Sequence, residues 1–379
     1  MPARRVKRVA SGMPDFDTSI MINFRRAMSA LGVALAVTLA APSIGAGFVD
    51  PLDAPAAQSP LAAKSLLQGV AKAGSRLVAV GQRGHIVYST DNGASWKQAS
   101  VPVSSDLTAL FFIDDKQGWA VGHDGVILHT ADGGEKWEMQ INGRTANDQL
   151  IAAMERKVAT EPASDDAKKL LGEAKRYKEQ GADKPFLDVW FADAQNGYAV
   201  GAYNLIVRTR DGGKTWESWF DRTENPKFFN LYAIRPAAGE LFIAGEGGLV
   251  LKLDGATQRF RALAVPYNGS FFGVTDARSS VVVFGLRGNA FRSDDRGTTW
   301  TKIDAGLPAS IVGAAMTADG ATLFADAGGR VAITSDGGRT FANVALSAAV
   351  PLTGIADAGA GKLAVVGPRG AAVSAMTAR

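Results

Sequence analysis

The sequence lacks cysteine altogether and contains only three histidines among its 379 residues. The absence of thiols excludes disulfide bonds, cysteine nucleophiles and cysteine-ligated metal centres. His123 and His129 are six residues apart in the sequence, which is about 20 Å along an extended strand, so they cannot share a metal ion. His85 follows an equivalent turn and is interpreted as structural or solvated. We therefore expect no metal site and no cofactor.

The chain also lacks an apolar run of the roughly 20 residues that a membrane-spanning helix needs. A shorter run, from about Leu31 to Ala41, follows a basic start and is succeeded by small residues up to Ala46. This pattern is typical of a signal peptide over residues 21–46, with an uncleaved anchor as the alternative. Residues 1–20 are interpreted as a tail or a mis-start. The sequence therefore predicts an exported, periplasmic protein.

A basic surface is missing from the mature part of the chain. The net charge is +4, but residues 1–46 carry six arginines and lysines against two aspartates, so residues 47–379 are neutral. A neutral body does not favour polyanion binding. We expect no nucleic-acid partner.

What the sequence does contain is one unit of about 41 residues that recurs seven times. Each unit begins with an apolar strand, and its second strand ends at a glycine or, in unit 6, at Asp326. A two-residue turn and a third strand follow, then in five units the motif [ST]-x-D-x-G-x-x-[WF], and in all but unit 7 a fourth strand. The strand-ending glycines are Gly81, Gly122, Gly201, Gly245, Gly285 and Gly367.

The [ST]-x-D-x-G-x-x-[WF] motif is an Asp-box, and we interpret it as scaffold. Its aspartate can accept hydrogen bonds from its own turn, its glycine permits positive φ, and its aromatic residue anchors the fourth strand. The box residues are Asp91 and Trp96, Asp132 and Trp137, Asp211 and Trp216, Asp295 and Trp300, and Asp336 and Phe341.

Seven such units predict an all-β fold, a seven-bladed β-propeller over residues 47–379, because four-stranded units must pack radially and close into a ring. Unit 7 ends before its fourth strand, and residues 48–52 are placed to supply it. Residues 144–184 interrupt the repeat between units 2 and 3. Apolar residues at helical spacing there predict a helical hairpin, with Ser164 as a cap and Gly181 as an end.

The turns between the second and third strands lie on one face, opposite the Asp-boxes. Arginine occurs there three times at one equivalent position, as Arg83, Arg287 and Arg369, and could form a basic arc that binds carboxylates or carbonyls. Ordinary solvated turn residues are the alternative. Departures from the repeat concentrate around units 3 to 5, where we expect a partner first. Among these departures we select Tyr203, Glu246 and Tyr267 as partner-binding candidates.

The repeat GWAVGxxGxIxxTxDGGxxW resembles the photosystem II stability and assembly factor family of propellers. The resemblance implies a non-enzymatic binder of a membrane-protein subunit or complex facing the periplasm, or the lumen in a photosynthetic host. We expect the protein to be a monomer. The resemblance also implies an arginine patch for the client, which Arg83, Arg287 and Arg369 fit, with Arg208 and Arg292 as weaker candidates. The helical segment and the stretch PFLDVWF from Pro185 depart from the photosynthetic members. They are similar to a branch that is sometimes linked to efflux-type transporters, so a transporter accessory protein is an alternative.

Because Asp-boxes also occur in sialidases, a glycoside hydrolase is the other alternative. Asp124 and Glu246 occupy neighbouring turn positions and are the best acid/base pair. The Arg-x-Pro segment that usually precedes the first box of a sialidase is absent. No Gly-x-Ser-x-Gly nucleophile turn occurs either. The sequence therefore favours binding over catalysis.

Overall fold

The computed structural model describes residues 49–347 and 350–378, which form β-strands with two α-helices. The predicted tail 1–20 and signal peptide 21–46 lie outside the described residues. Units 1 to 5 each form a four-stranded antiparallel sheet in chain order. The strands of units 1 and 2 are β1 (Leu67–Ala73), β2 (Arg76–Gly81), β3 (Ile86–Ser89), β4 (Lys97–Gln98), β5 (Leu107–Phe112), β6 (Gly118–Gly122), β7 (Ile127–Thr130) and β8 (Glu138–Ile141).

The strands of units 3 to 5 repeat this order. They are β9 (Phe186–Phe191), β10 (Gly197–Gly201), β11 (Ile206–Thr209), β12 (Glu217–Ser218), β13 (Leu231–Ala237), β14 (Glu240–Gly245), β15 (Val250–Asp254), β16 (Arg259–Ala262), β17 (Phe271–Ala277), β18 (Ser280–Gly285), β19 (Ala290–Ser293) and β20 (Thr301–Ile303). The second strand of each unit is almost wholly buried, as its unbroken apolar sequence requires.

The first strands of consecutive units contact one another in a cycle, from β1 through β5, β9, β13, β17, β21 and β25 and back to β1. At the return, Thr353 Oγ1 in the segment before β25 donates to the carbonyl oxygen of Leu67 at 2.6 Å. The apolar clusters that fill the protein lie between neighbouring sheets, and each cluster takes side chains from both. This is an all-β, propeller-like arrangement.

Units 6 and 7 share a seven-stranded sheet in the order β21-β22-β23-β24-β27-β26-β25. Its strands are β21 (Ile311–Met316), β22 (Thr322–Asp326), β23 (Val331–Thr334), β24 (Ala342–Leu346), β25 (Gly354–Gly359), β26 (Lys362–Gly367) and β27 (Gly370–Ala378). The outer edge of β27 therefore pairs with β24 of unit 6. The prediction that residues 48–52 complete unit 7 is wrong for the described residues 49–52.

Residues 49–52 do not form a strand because their sequence favours a turn. Asp50 accepts a hydrogen bond from the Leu52 amide at 2.9 Å through its side chain, and Pro51 begins a 3-10 turn over Pro51–Asp53. Leu52 is buried in the cluster shared by units 1 and 2. The segment is therefore anchored against those two units.

Two helices lie between β8 and β9: α1 (Gly143–Thr160) and α2 (Asp165–Gln180). Asn142 caps α1 and Ser164 caps α2, where the side chain accepts from the Ala167 amide at 3.1 Å. Gly181 ends α2 at φ +92°. The apolar stripes of the helices pack on each other and on the segment after β12, and the buried members of this cluster are Leu150, Met154, Ala174, Tyr177 and Phe220.

Candidate functional site: the turn face

The turns between the second and third strands share one backbone geometry. In units 1 to 5 they are Gln82–Gly84, His123–Gly125, Ala202–Asn204, Glu246–Gly248 and Leu286–Gly288. The middle residue of each has φ between +52° and +63°. We call the face that these turns define the turn face. Four of the five middle residues have side chains, so each accepts the left-handed conformation that glycine would adopt more easily.

Hydrogen bonds between units hold these strained turns. In units 2 and 4 the residue before the first strand accepts from its own turn through its carbonyl, and from the preceding unit's turn through its side chain. Asp106 receives the His123 amide on its carbonyl at 2.8 Å and the Arg83 amide on Oδ1 at 2.7 Å. Asn230 does the same for Glu246 and Tyr203. These bonds tie the unit 1 turn to unit 2 and the unit 3 turn to unit 4.

Ser310 repeats this arrangement between units 5 and 6. Its carbonyl accepts from Ala327 at 2.8 Å and its Oγ accepts from the Arg287 amide at 3.1 Å. The backbone of each of these arginine turns is thereby fixed while the guanidinium extends into solvent.

Arg83, Arg287 and Arg369 are all exposed. Arg83 and Arg287 are the left-handed residues of their turns, and Arg369 lies in the two-residue turn that joins β26 to β27. No salt bridge involves any of the three among the described residues. Three exposed positive charges therefore lie on a body whose net charge, counted with them, is zero.

Arg208 and Arg292 do not share the turn face. They lie near the far ends of β11 and β19, where Arg208 pairs with Tyr198 and Arg292 with Val282 across the sheet. Arg292 is only 8% exposed and its guanidinium pairs with Asp294. The Arg208 guanidinium stacks 4.8 Å from the Trp219 ring. Both arginines are engaged in internal contacts, which corrects their placement in the patch.

The other candidates of units 3 to 5 do lie at or beside the turn face. Tyr203 is 53% exposed at the middle of its turn. Glu246 begins the next turn, and its Oε2 accepts from the Asn230 amide at 3.2 Å. The hydroxyl of Tyr267 donates to the carbonyl of Leu286, in the Arg287 turn, at 3.2 Å.

The two carboxylates proposed for the hydrolase alternative each accept a hydrogen bond from a residue of their own unit. Asp124 accepts from the Ser105 hydroxyl at 2.6 Å, and Glu246 accepts from Asn230. Unit 3 stands between the units that carry them. No hydrogen bond joins the two within residues 49–347 and 350–378.

In the Asp-boxes, the aspartate and the serine or threonine are hydrogen-bonded within their own turn. In unit 5, Ser293 Oγ donates to Asp295 Oδ1 and accepts from Gly297, while Thr299 donates to Asp295 through its amide at 2.8 Å and its hydroxyl at 2.6 Å. These donors lower the pKa of Asp295 to about 2, and hydrogen bonds from Ser95 and Ser89 do the same for Asp91. A threonine hydroxyl likewise donates to the aspartate of the box at Asp132, Asp211 and Asp336.

Each box aromatic packs against the preceding unit. Trp137 of unit 2 is 2% exposed and lies in a cluster with Val78 of unit 1. Trp216 meets Trp119 in one cluster and Trp300 meets Phe242 in another. The boxes therefore join neighbouring sheets on the face opposite the turns.

The first strands line a cavity of about 550 Å³ whose wall is uneven. Trp190, Tyr232 and Phe272 line it from β9, β13 and β17, while glycines line it from β1, β21 and β25. In this wall Asp188 Oδ2 accepts from Arg235 Nη1 at 2.6 Å and from the Ile234 amide at 2.8 Å. Burial raises the pKa of Asp188 despite the nearby Arg235 guanidinium.

The sequence reasoning did not select the Asp188–Arg235 pair. Its signal was a lone aspartate in the apolar strand sequence PFLDVWF, since a charge in a buried strand requires a partner.

Within the described part of the chain, no helix is long and apolar enough to cross a membrane.

Comparison with known proteins identifies similar sequences. The sequence model described as "Photosynthesis system II assembly factor YCF48" matches residues 61–161 and 174–323. The photosystem II stability/assembly factor HCF136 of Arabidopsis thaliana is 22% identical over 60% of this chain and 64% of its own length. The photosystem II assembly lipoprotein Ycf48 of a Synechococcus strain is 28% identical over 30% of this chain. The matched region spans 35% to 64% of the lengths of these two relatives.

Solved structures agree in fold. A structure described as YCF48 bound to D1 peptide superposes with a TM-score of 0.59 at 14% identity, covering 85% of this chain and 96% of that one. A streptogramin B lyase superposes with a TM-score of 0.60 at 12% identity, covering 84% and 95%. Because an assembly factor and a lyase fit equally well, the fold alone does not decide the function.

Proposed function

The chain belongs to the photosystem II assembly factor YCF48 family, and from this membership we propose that it is an exported, non-catalytic assembly or stability factor that binds a segment of a membrane-protein subunit. The described sheets and the cycle of first strands support a seven-bladed ring, with α1 and α2 as an insertion between blades 2 and 3. The curated relatives carry assembly-factor names, and one is a lipoprotein. These names support export to a compartment that faces the client.

We place the client on the turn face. The observation that carries this proposal is the set of three exposed arginines, Arg83, Arg287 and Arg369, without salt-bridge partners among the described residues. Planar guanidinium groups on rigid turns suit carboxylates and backbone carbonyls of an extended or helical peptide. A solved family structure holds a D1 peptide, so a peptide of a membrane subunit is the class of ligand we propose for this chain.

Charge reversal tests the proposal. The test variant replaces Arg83, Arg287 and Arg369 by glutamate. The matched control replaces three exposed arginines of the opposite face by glutamate: Arg210, Arg278 and Arg296. Arg278 and Arg296 also have positive φ, so the backbone demands of the two variants are similar.

Crosslinking in the native cell, followed by capture and identification of the bound proteins, is the measurement. We expect the test variant to lose a membrane-protein partner that the wild type and the control variant both recover. Unchanged melting temperatures would establish that all three proteins are folded. Recovery of the same partner by the folded test variant would refute the placement of the client on the arginine turns.

A further inference from the structure

A small pocket lies where the end of α2 meets the Tyr203 turn. It has a volume of about 280 Å³ and is lined by Arg176, Tyr177, Gln180, Asp183, Lys184 and Tyr203. The pocket is part of the turn face, because Tyr203 is the middle residue of the unit 3 turn. The helical segment supplies every other residue of its wall.

Lys184 is the unusual member of this pocket, since its side chain is only 7% exposed. Its ammonium donates to Gln180 Oε1 at 2.9 Å and to Asp183 Oδ1 at 2.7 Å. An ammonium has three N–H donors, and the described residues offer no further acceptor within hydrogen-bond distance. Asp183 is itself 59% exposed, so the buried cation has one partly solvated counter-charge. A second carboxylate at this point would satisfy the remaining donor.

Two tyrosines form the apolar walls beside this ammonium. The Lys184 nitrogen lies 4.6 Å from the Tyr177 ring centroid and 6.0 Å from that of Tyr203. The Tyr177 hydroxyl donates to the carbonyl of Tyr203 at 2.9 Å, which fixes the turn against α2. The Tyr203 ring remains half exposed and can contact an apolar group that accompanies the ligand.

Arg176 adds a second cation at the rim. Its Nε and Nη2 donate to Glu173, while Nη1 has no acceptor among the described residues. Its guanidinium carbon lies 5.3 Å above the Tyr177 ring. A carboxylate held by Lys184 can therefore receive an additional donor from the rim.

We propose that this pocket binds a carboxylate of a peptide, either a C-terminal carboxylate or an aspartate or glutamate side chain. The inference rests on the proposed function, since it adds a specificity site to the face on which the client is placed. It assigns to the helical segment the role of supplying that site. The volume of the pocket accommodates a carboxylate with the few carbon atoms that carry it.

Isothermal titration calorimetry of the purified full-length protein tests the pocket without any client. The probes are three N-acetylated tetrapeptides with a phenylalanine before the last residue. The first ends in alanine with a free carboxylate, the second is its C-terminal amide, and the third is an amide that ends in aspartate. We expect binding of at least one carboxylate peptide and at least about tenfold weaker binding of the alanine amide.

The variant Lys184→Gln keeps a polar group for Gln180 and Asp183 but removes the cation, and should weaken carboxylate binding at least about tenfold. Tyr203→Gly keeps the positive φ of its turn and should also weaken binding, which provides a second variant if the first fails to fold. Lys175→Gln, an exposed lysine of α2 outside the pocket, is the control and should bind as the wild type does.

The pattern across the peptides identifies the source of the carboxylate, because the first and third probes separate the chain terminus from a side chain. The proposal is overturned if the wild-type protein binds neither carboxylate peptide, or if it binds the alanine amide as tightly as the carboxylate peptides. It is also overturned if folded Lys184→Gln binds the carboxylate peptides as the wild type does. These results are independent of the arginine turns. Loss of client capture on arginine reversal, with unchanged peptide binding, would support the proposed function and the pocket together.

Discussion

Removal of Arg235 should expose how much the fold depends on the ion pair in the central wall. Arg235 is the only cation that pairs with Asp188 among the described residues, and it joins β13 to β9. The Asp188 side chain is 7% exposed and that of Arg235 is 31% exposed. Breaking a buried pair by removing one partner costs about 3–5 kcal/mol, because a buried charge is left uncompensated. We expect Arg235→Met to approach this cost at pH 8.

The cost should depend on pH in a direction that follows from Asp188. Burial already raises the pKa of this carboxyl, and loss of the arginine will raise it further. When the folded protein holds the Asp188 carboxyl at a pKa above its unfolded value, the protonated carboxyl favours the folded state. This stability is fully present below about pH 4 and is lost as pH rises through the folded-state pKa. At pH 5 the variant can therefore take up a proton, and the destabilisation should fall to about 1–2 kcal/mol.

Urea unfolding followed by tryptophan fluorescence at pH 5 and pH 8 measures both values. The double variant Asp188→Asn with Arg235→Met is the control, since asparagine can still accept from the Ile234 amide without a charge. It should recover most of the lost stability at pH 8 and show little pH dependence. A single variant that loses less than about 1 kcal/mol at pH 8, or a double variant no more stable than the single, would refute the reasoning.

Two further predictions concern the turns and the boxes. Arg287→Gly should change the free energy of unfolding by less than about 1 kcal/mol, because the ease with which glycine adopts φ +56° compensates for the entropy that glycine loses on folding. Arg292→Gly on a buried strand should cost more than about 2 kcal/mol. Chemical denaturation compares the two variants, and equal losses would contradict the assignment of Arg287 to the surface. The wild-type protein should lose stability as pH falls from about 4 towards 2, because the pKa of Asp295 is lowered to about 2 in the fold. Asp295→Asn should lose less stability over that pH range. The urea midpoint measured at each pH checks this, and the same change of midpoint with pH in both proteins would contradict it.

The sequence predicted the repeating parts of the fold because each repeating residue does the same local work in every unit. The Asp-box is an example, since the side-chain hydrogen bonds of its serine or threonine and its aspartate reach only one another and the next few residues. Such short-range hydrogen bonds are encoded in a window of eight residues. The family assignment and the all-β fold followed from the same regularity.

The partner of the last strand could not be predicted in this way. β27 of unit 7 pairs with β24 of unit 6, so the two strands come from different units. Nothing in either strand alone specifies that partner, and the repeat led us to expect a strand from the N-terminal segment. The Asp50-Pro51 pair carried the contrary signal, because aspartate before proline favours a turn.

The candidate site was half visible for a related reason. The arginines of the turn face were found because they recur at one register, while Lys184 and the Asp188–Arg235 pair occur once each and become meaningful only through three-dimensional contacts. Arg208 and Arg292 were misplaced because the strand direction, and hence the face, must be known before a side chain can be assigned to it.

The left-handed turns explain how this scaffold can carry different side chains at one surface position with little effect on its stability. At each turn of units 1 to 5 the amide of the first turn residue donates to the carbonyl of the residue before a first strand, so this bond does not depend on the middle side chain. Arginine, aspartate, tyrosine and glycine occupy that position in different units. A position that accepts four such different residues in one chain can vary in its chemistry, whereas the box aspartates are held by their own hydrogen bonds. We therefore expect relatives to differ more at the middle positions of the turns than at the box aspartates.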